Sequence, residues 1–216
     1  HGLGGIITNR RVDAYNSFGA FLNYAYHLPI SRKINFSLGT RMGYTNQRID
    51  FTNLVVRDDV NDLFYQSLLM AGQGSQNTML VDFGAVIYSK RFFLGFSSDN
   101  LVAEKMNGDQ LFNLNTGLRY KAQVGAIIPF NPLWELSPGI QLVHKEGYEM
   151  MWAANARLRY KNLVYLGTSY ASDSKASVLL GLSTYKLSIN YSYDIYLGGL
   201  NDFNVNTHEI VLGLSL

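Results

Sequence analysis

Between residues 18 and 28 the chain alternates. Phe18, Ala20, Leu22, Tyr24, Tyr26 and Leu28 share one parity, while Gly19, Phe21, Asn23, Ala25 and His27 share the other. A β-strand sends successive side chains to opposite faces, so this stretch predicts a strand with one apolar and one mixed face. The rhythm returns in Ile34, Phe36, Leu38, Thr40, Met42 and Tyr44, interleaved with Asn35, Ser37, Gly39, Arg41 and Gly43. It returns in Leu118, Tyr120, Ala122, Val124, Ala126 and Ile128 against Arg119, Lys121, Gln123 and Gly125, and in Leu187, Ile189, Tyr191, Tyr193 and Ile195 against Ser188, Asn190, Ser192 and Asp194. In the final stretch Ile210, Leu212, Leu214 and Leu216 oppose Glu209, Val211, Gly213 and Ser215, with no polar tail after them. Dyad-period spans of about 10 residues suit strands that meet hydrocarbon on one face and a wet lumen on the other, and a barrel-closing strand can end a chain in this way.

The alternation and its interruptions predict an all-β chain of twelve strands, forming a single antiparallel transmembrane β-barrel over residues 1–216. The expected strands are 2–9, 15–28, 33–48, 79–89, 91–98, 112–129, 133–144, 148–160, 163–171, 175–184, 186–197 and 205–216. Connections of two kinds alternate. Short, often basic turns fall at 29–33, 90–91, 131–132, 161–162 and 185–186; longer or more polar ones fall at 10–14, 50–78, 99–111, 145–147, 172–174 and 198–204. Outer-membrane barrels have short periplasmic turns and longer external loops, which puts the C-terminus at the periplasmic rim. The 50–78 connection is expected to be extracellular and to act as a plug or lid, with a short helix over 58–69 carrying Val60, Leu63, Phe64 and Leu68 on one side.

Composition fits this picture. Charged residues make up 16% of the chain, aromatics reach 13% with 15 Tyr and 12 Phe, and cysteine is absent. No run approaches the roughly 18 apolar residues that a membrane helix needs, whereas aromatic girdles are a barrel feature. The absence of cysteine excludes disulfides and thiolate metal sites. A net charge of +2 is too small to argue for nucleic acid.

Charges on the predicted lumen parity are the first candidates for chemistry: Arg41, Asp82, Arg119, Glu149, Arg157 and Asp194, with Lys121, Glu135, Arg159 and Glu209 beside them. Ionisable groups at membrane depth invite a functional reading, but opposite charges on neighbouring strands also pair simply to fill a barrel, and that plainer account carries more weight. The same parity holds Phe21, Met151 and Tyr165, bulky for an open pore. A barrel hydrolase would need a nucleophile, a histidine and a carboxylate converging in space. His208 and Glu209 are sequence neighbours and point to opposite faces, and His144 near Glu146 and Glu149 has no nucleophile motif. The Gly2-Leu3-Gly4-Gly5 stretch lacks the strand, helix and Lys-Ser/Thr of a phosphate loop. No calcium-loop spacing appears either, so no catalytic residue, metal or cofactor is assigned. Partner binding is expected of apolar residues in the long connections: Leu54, Leu63, Phe64, Tyr65, Leu68, Leu69, Phe112 and Phe203.

Several stretches in order carry a resemblance. They are His1-Gly2-Leu3-Gly4-Gly5-Ile6-Ile7-Thr8-Asn9, Leu22-Asn23-Tyr24-Ala25-Tyr26-His27, Tyr88-Ser89-Lys90-Arg91-Phe92-Phe93-Leu94-Gly95-Phe96, Tyr191-Ser192-Tyr193-Asp194 and His208-Glu209-Ile210. Together they resemble the PorP/SprF family of the type IX secretion and gliding systems of Bacteroidota, over nearly the whole chain. The resemblance implies a non-enzymatic outer-membrane barrel of a Gram-negative cell, without cofactor, linked to export or surface attachment of adhesins and other cargo bearing a type B C-terminal domain. It also implies a periplasmic peptidoglycan-binding lipoprotein of the PorE type as partner. Family members usually carry an Asn-Pro-Ala-type segment and about two strands before the Gly-Leu-Gly-Gly stretch, which this chain lacks. Two further strands would make fourteen, an even count. The alternative is that residues 1–9 close directly onto 205–216. The rival function is a porin or a channel for hydrophobic substrates.

Overall fold

The computed structural model describes residues 1–53, 66, 70, 72–108, 117–198 and 206–214. Among these, thirteen strands run in chain order: β1 (Gly2–Val12), β2 (Tyr15–Pro29), β3 (Ile34–Asp50), β4 (Gln73–Ser89), β5 (Phe92–Gly108), β6 (Arg119–Ala126), β7 (Ile128–Pro129), β8 (Trp134–Lys145), β9 (Met151–Tyr160), β10 (Val164–Ala171), β11 (Lys175–Ser183), β12 (Leu187–Tyr196) and β13 (Thr207–Leu214). Each strand pairs with its sequence neighbour, β7 lying off the path and pairing with β8. β7 is a continuation of β6 after a break at Ile127, whose N–H donates to the Arg91 carbonyl at 2.7 Å. The expected strand over 112–129 thus corresponds to β6 and β7, and each of the twelve expected strands has a counterpart. The path ends at β1 and β13. These two are not paired with each other among the described residues, so the alternative in which 1–9 close directly onto 205–216 is not seen among them. The expected helix over 58–69 lies outside the described residues except for Gln66, whose backbone is helical.

Two connections are shorter than the sequence predicts. β4 begins at Gln73, so 73–78 belongs to a strand, and β5 continues to Gly108, so most of the expected 99–111 loop is strand as well. Gly-Ser-Gln-Asn-Thr at 74–78 reads as a loop because it is small and polar. In the fold Gln76 and Thr78 are the most deeply buried side chains described, and the Gln76 amide donates to Thr78 Oγ1 at 3.2 Å. Asp99-Asn100 reads as a turn. Instead Asn100 takes a left-handed backbone (φ 59°), its N–H donates to Asp82 Oδ1 at 2.6 Å, and its side-chain amide donates to the Gly117 carbonyl at 3.3 Å. Asparagine tolerates that region, so the strand kinks and carries on.

Burial is inverted relative to a soluble domain. Among the described residues the one buried hydrophobic side chain is Phe51, while Ser37, Thr45, Gln76, Thr78, Asp82, Ser98 and Ser177 are buried polar groups. Large apolar side chains stand exposed along every long strand, Leu22, Met42, Leu94, Leu166, Leu180 and Leu212 among them. A water-soluble protein does not display apolar surface on this scale. A sheet with one face against hydrocarbon does.

The chain forms two compact units, the first of residues 1–28, 37–85 and 97–119, the second of 29–36, 86–96 and 120–216. In the second, register turns the alternation into rows. Leu136, Leu158, Leu166, Leu180, Tyr191 and Ile210 are successive cross-strand partners from β8 to β13. The neighbouring row on the other face runs Ser137, Arg157, Gly167, Leu179, Ser192 and Glu209. Aromatic pairs mark both ends of the apolar face. Trp134 and Tyr160 lie 4.7 Å apart beside the 161–163 turn, and Trp152 and Tyr170 lie 5.9 Å apart beside the 172–174 turn. At about 3.3 Å per residue, Trp152 and Tyr160 stand roughly 26 Å apart along β9. Short turns fix the hairpins: Lys161 and Asn162 both take positive φ (50° and 56°), the signature of a type I′ turn whose twist matches the strands it joins. In the first unit β1 pairs with β2 in an uninterrupted register from Gly2 opposite Ala25 to Val12 opposite Tyr15.

Candidate functional site

The polar face of the sheet carries the chemistry, and in the first unit its centre is Asp82. Its carboxylate accepts from the Arg41 guanidinium and from the Asn100 N–H, and its side chain is only 8% exposed. The Arg41 guanidinium also lies over the Phe21 ring, 5.0 Å from its centroid. That ring covers Gly43 so closely that a methyl group there would overlap it. The alternation of Gly19, Phe21, Gly43 and Arg41 on one parity therefore builds a cation on an aromatic on a bare backbone. The pair lines a recess of about 480 Å³ with Asn23, Ser97 and Asp99.

The second unit repeats the device. The Tyr165 ring covers Gly181, its direct cross-strand partner, and the Tyr165 hydroxyl donates to Asn190 Oδ1 at 2.8 Å. The Arg157 guanidinium lies over that ring at 5.1 Å. A third aromatic, Phe93, covers Gly125 in the same way without a cation. Charge pairs stand on either side: Glu135 with Arg159 at 3.5 Å, and Lys175 with Asp194 at 3.3 Å.

The expected lumen charges therefore distribute as follows. Arg41 and Asp82 meet each other, Arg157 meets Tyr165, and Asp194 meets Lys175. Arg119 lies half-buried at the start of β6. Glu149 is not on a strand. A turn with Gly147 at φ 81° and the Tyr148 N–H donating to the Lys145 carbonyl delays β9 until Met151, leaving Glu149 exposed. Glu209 faces Ser192 across β12 and β13. Of the bulky residues expected inside, Phe21 and Tyr165 lie flat on glycines, and Met151 is 43% exposed at the head of β9. The expected partner residues Leu54, Leu63, Phe64, Tyr65, Leu68, Leu69, Phe112 and Phe203 all lie outside the described residues.

Two of the histidines lie against tyrosines. His208 Nδ1 shares a hydrogen bond with the Tyr191 hydroxyl at 2.8 Å, and its ring lies 4.7 Å from that of Tyr193. The His1 ring contacts the Tyr24 hydroxyl at 2.7 Å. Among the described residues no cluster of histidine and carboxylate side chains has the spacing to hold a metal ion. The sequence reading missed the aromatic–glycine contacts, because Phe21 and Gly43, or Tyr165 and Gly181, meet only once cross-strand register is known.

Comparison with known proteins adds the family. The model of the type IX secretion system membrane protein PorP/SprF matches residues 1–214. No curated protein matches the chain. Two crystal structures of the Pseudomonas putida toluene transporter TodX share the fold, with 12% identity and a TM-score of 0.52. They are matched over 86% of this chain, which spans 64% and 65% of their own lengths. An outer-membrane channel from Pseudomonas putida F1 matches at 11% identity and a TM-score of 0.47, over 93% of this chain and 82% of that one.

Proposed function

Because the chain belongs to the PorP/SprF family of type IX secretion membrane proteins, residing in the outer membrane, we propose that it is a non-enzymatic barrel that holds or helps export cargo bearing a type B C-terminal domain. The observation that carries this reading is the family match over 1–214 on a sheet whose apolar side chains are outside and polar ones buried. Support for anchoring over conduction comes from charge: the Arg41–Asp82, Glu135–Arg159 and Lys175–Asp194 pairs on the polar face neutralise one another. A secretion apparatus component also needs a foothold on the periplasmic side, and a peptidoglycan-binding lipoprotein of the PorE type is the proposed partner there.

A channel for hydrophobic substrates is the second reading, favoured by the likeness in fold to a toluene transporter. Purifying the chain from native outer membranes separates the two. Anchoring predicts co-purification of cargo with type B C-terminal domains and of a peptidoglycan-binding lipoprotein, with no lasting conductance in planar bilayers. A large, stable conductance in a chain that retains neither partner would favour the channel.

A further inference from the structure

The polar face of the second unit holds a recess of about 480 Å³, and among the described residues Arg157 is the one charged side chain lining it. Its immediate register partners are small: Ser137 on β8 and Gly167 on β10. Gly139 and Ser169 stand one step further along the face, opposite Asn155. That set of small residues is what opens the space. Gln123, Gln141 and Asn155 contribute side-chain amides to its wall, and Ser137 and Ser169 contribute hydroxyls.

Three features make this a built site. The guanidinium is pre-positioned, because it lies over the Tyr165 ring, which is itself held by Gly181 beneath it and by the bond to Asn190. Among the described residues no carboxylate pairs with Arg157: the nearest acid along β8, Glu135, lies 3.5 Å from Arg159, and its Oε1, like Arg157 Nε, is buried without a hydrogen-bond partner. Finally, Arg157 Nε and Ser137 Oγ are both buried without a hydrogen-bond partner, and they belong to directly paired residues. A cation and a hydroxyl left unsatisfied side by side are costly unless something accepts from them.

We infer that this recess binds a carboxylate carried on an amide-bearing molecule, the chemistry of a short peptide terminus or an acylated amino acid. The planar guanidinium fork matches a carboxylate with two parallel bonds. Arg157 and Ser137 supply donors to its oxygens, and Gln123, Gln141 and Asn155 offer both donors and acceptors to an adjoining amide.

The test uses the full chain purified in detergent and N-acetylglycine as probe, with affinity measured by saturation-transfer NMR. N-acetylglycinamide, which lacks the charge, should bind at least about tenfold more weakly, as should N-acetylglycine to the Arg157→Gln protein. Arg159→Gln should leave binding within about twofold, because Arg159 does not line the recess and lies beside Glu135. Folding is checked by heat-modifiability on gels. If Arg157→Gln does not fold, Ser137→Leu provides the same test by filling the recess while keeping the charge, and should abolish binding. Equal affinity for acid and amide, unchanged binding in the folded Arg157→Gln or Ser137→Leu protein, or tighter binding of inorganic phosphate than of N-acetylglycine would each overturn the assignment.

Discussion

Leu166 provides a demanding test of which face meets lipid. It is 53% exposed and sits between Leu158 and Leu180 in the apolar row. It lies four residues from Tyr170, whose ring pairs with Trp152 at one aromatic margin. Four residues cover about 13 Å along the strand, and a tilt near 40° reduces that to roughly 10 Å of height, close to the middle of an apolar band about 25 Å tall. Arginine at that depth costs about 2–4 kcal/mol. On the opposite face Asn155 lines the open polar recess, and Asn155→Arg should cost about 1 kcal/mol or less. Reversible urea unfolding in lipid vesicles, followed by the fluorescence of Trp134 and Trp152, measures both. Equal destabilisation by Leu166→Arg and Asn155→Arg would refute the assignment of faces.

Further expectations follow from single contacts. Gly181→Ala should cost about 1–3 kcal/mol, because its methyl would overlap the Tyr165 ring, and the same substitution made in a Tyr165→Ala background should cost much less. Asp82→Ala removes the acceptor of both Arg41 and the Asn100 N–H, and the same unfolding measurement should show a loss of about 1–3 kcal/mol, moderated because Arg41 is 37% exposed. If the short turns are periplasmic, a cysteine at Tyr148 should react with an impermeant maleimide on intact cells, whereas one at Tyr185, which is 92% exposed, should react only after the outer membrane is breached. The reverse pattern would invert the topology.

Strand positions and faces were legible in the sequence because period-two alternation is a local property, whereas the break at Ile127 that divides the expected 112–129 strand was not. Leu22 against Asn23, or Ile189 against Asn190, announces its face without any knowledge of neighbours. The same logic put Arg41, Asp82, Arg157 and Asp194 on the polar face. It failed where a strand is polar on its buried side, as at Gln76 and Thr78, since loops and wet strand faces share a composition. It failed at Asn100, where a turn-forming residue serves a kink, and at Glu149, where Gly147 prolongs a turn by a few residues. Pairwise chemistry was illegible for a different reason. That Arg157 stacks on Tyr165, that Tyr165 needs a glycine at 181, and that Ser137 stands beside Arg157 all depend on register between strands. Turn geometry sets that register, and a one-residue slip would exchange every face.

The fate of cargo when the chain is removed is the most direct measurement of the proposed anchoring role. In native cells lacking the chain, proteins with type B C-terminal domains should be lost from the cell surface. They should then accumulate in the periplasm or the medium, and re-expression should restore them to the surface. Surface cargo unchanged in amount and in its resistance to washing, in cells shown to lack the chain, would contradict the account.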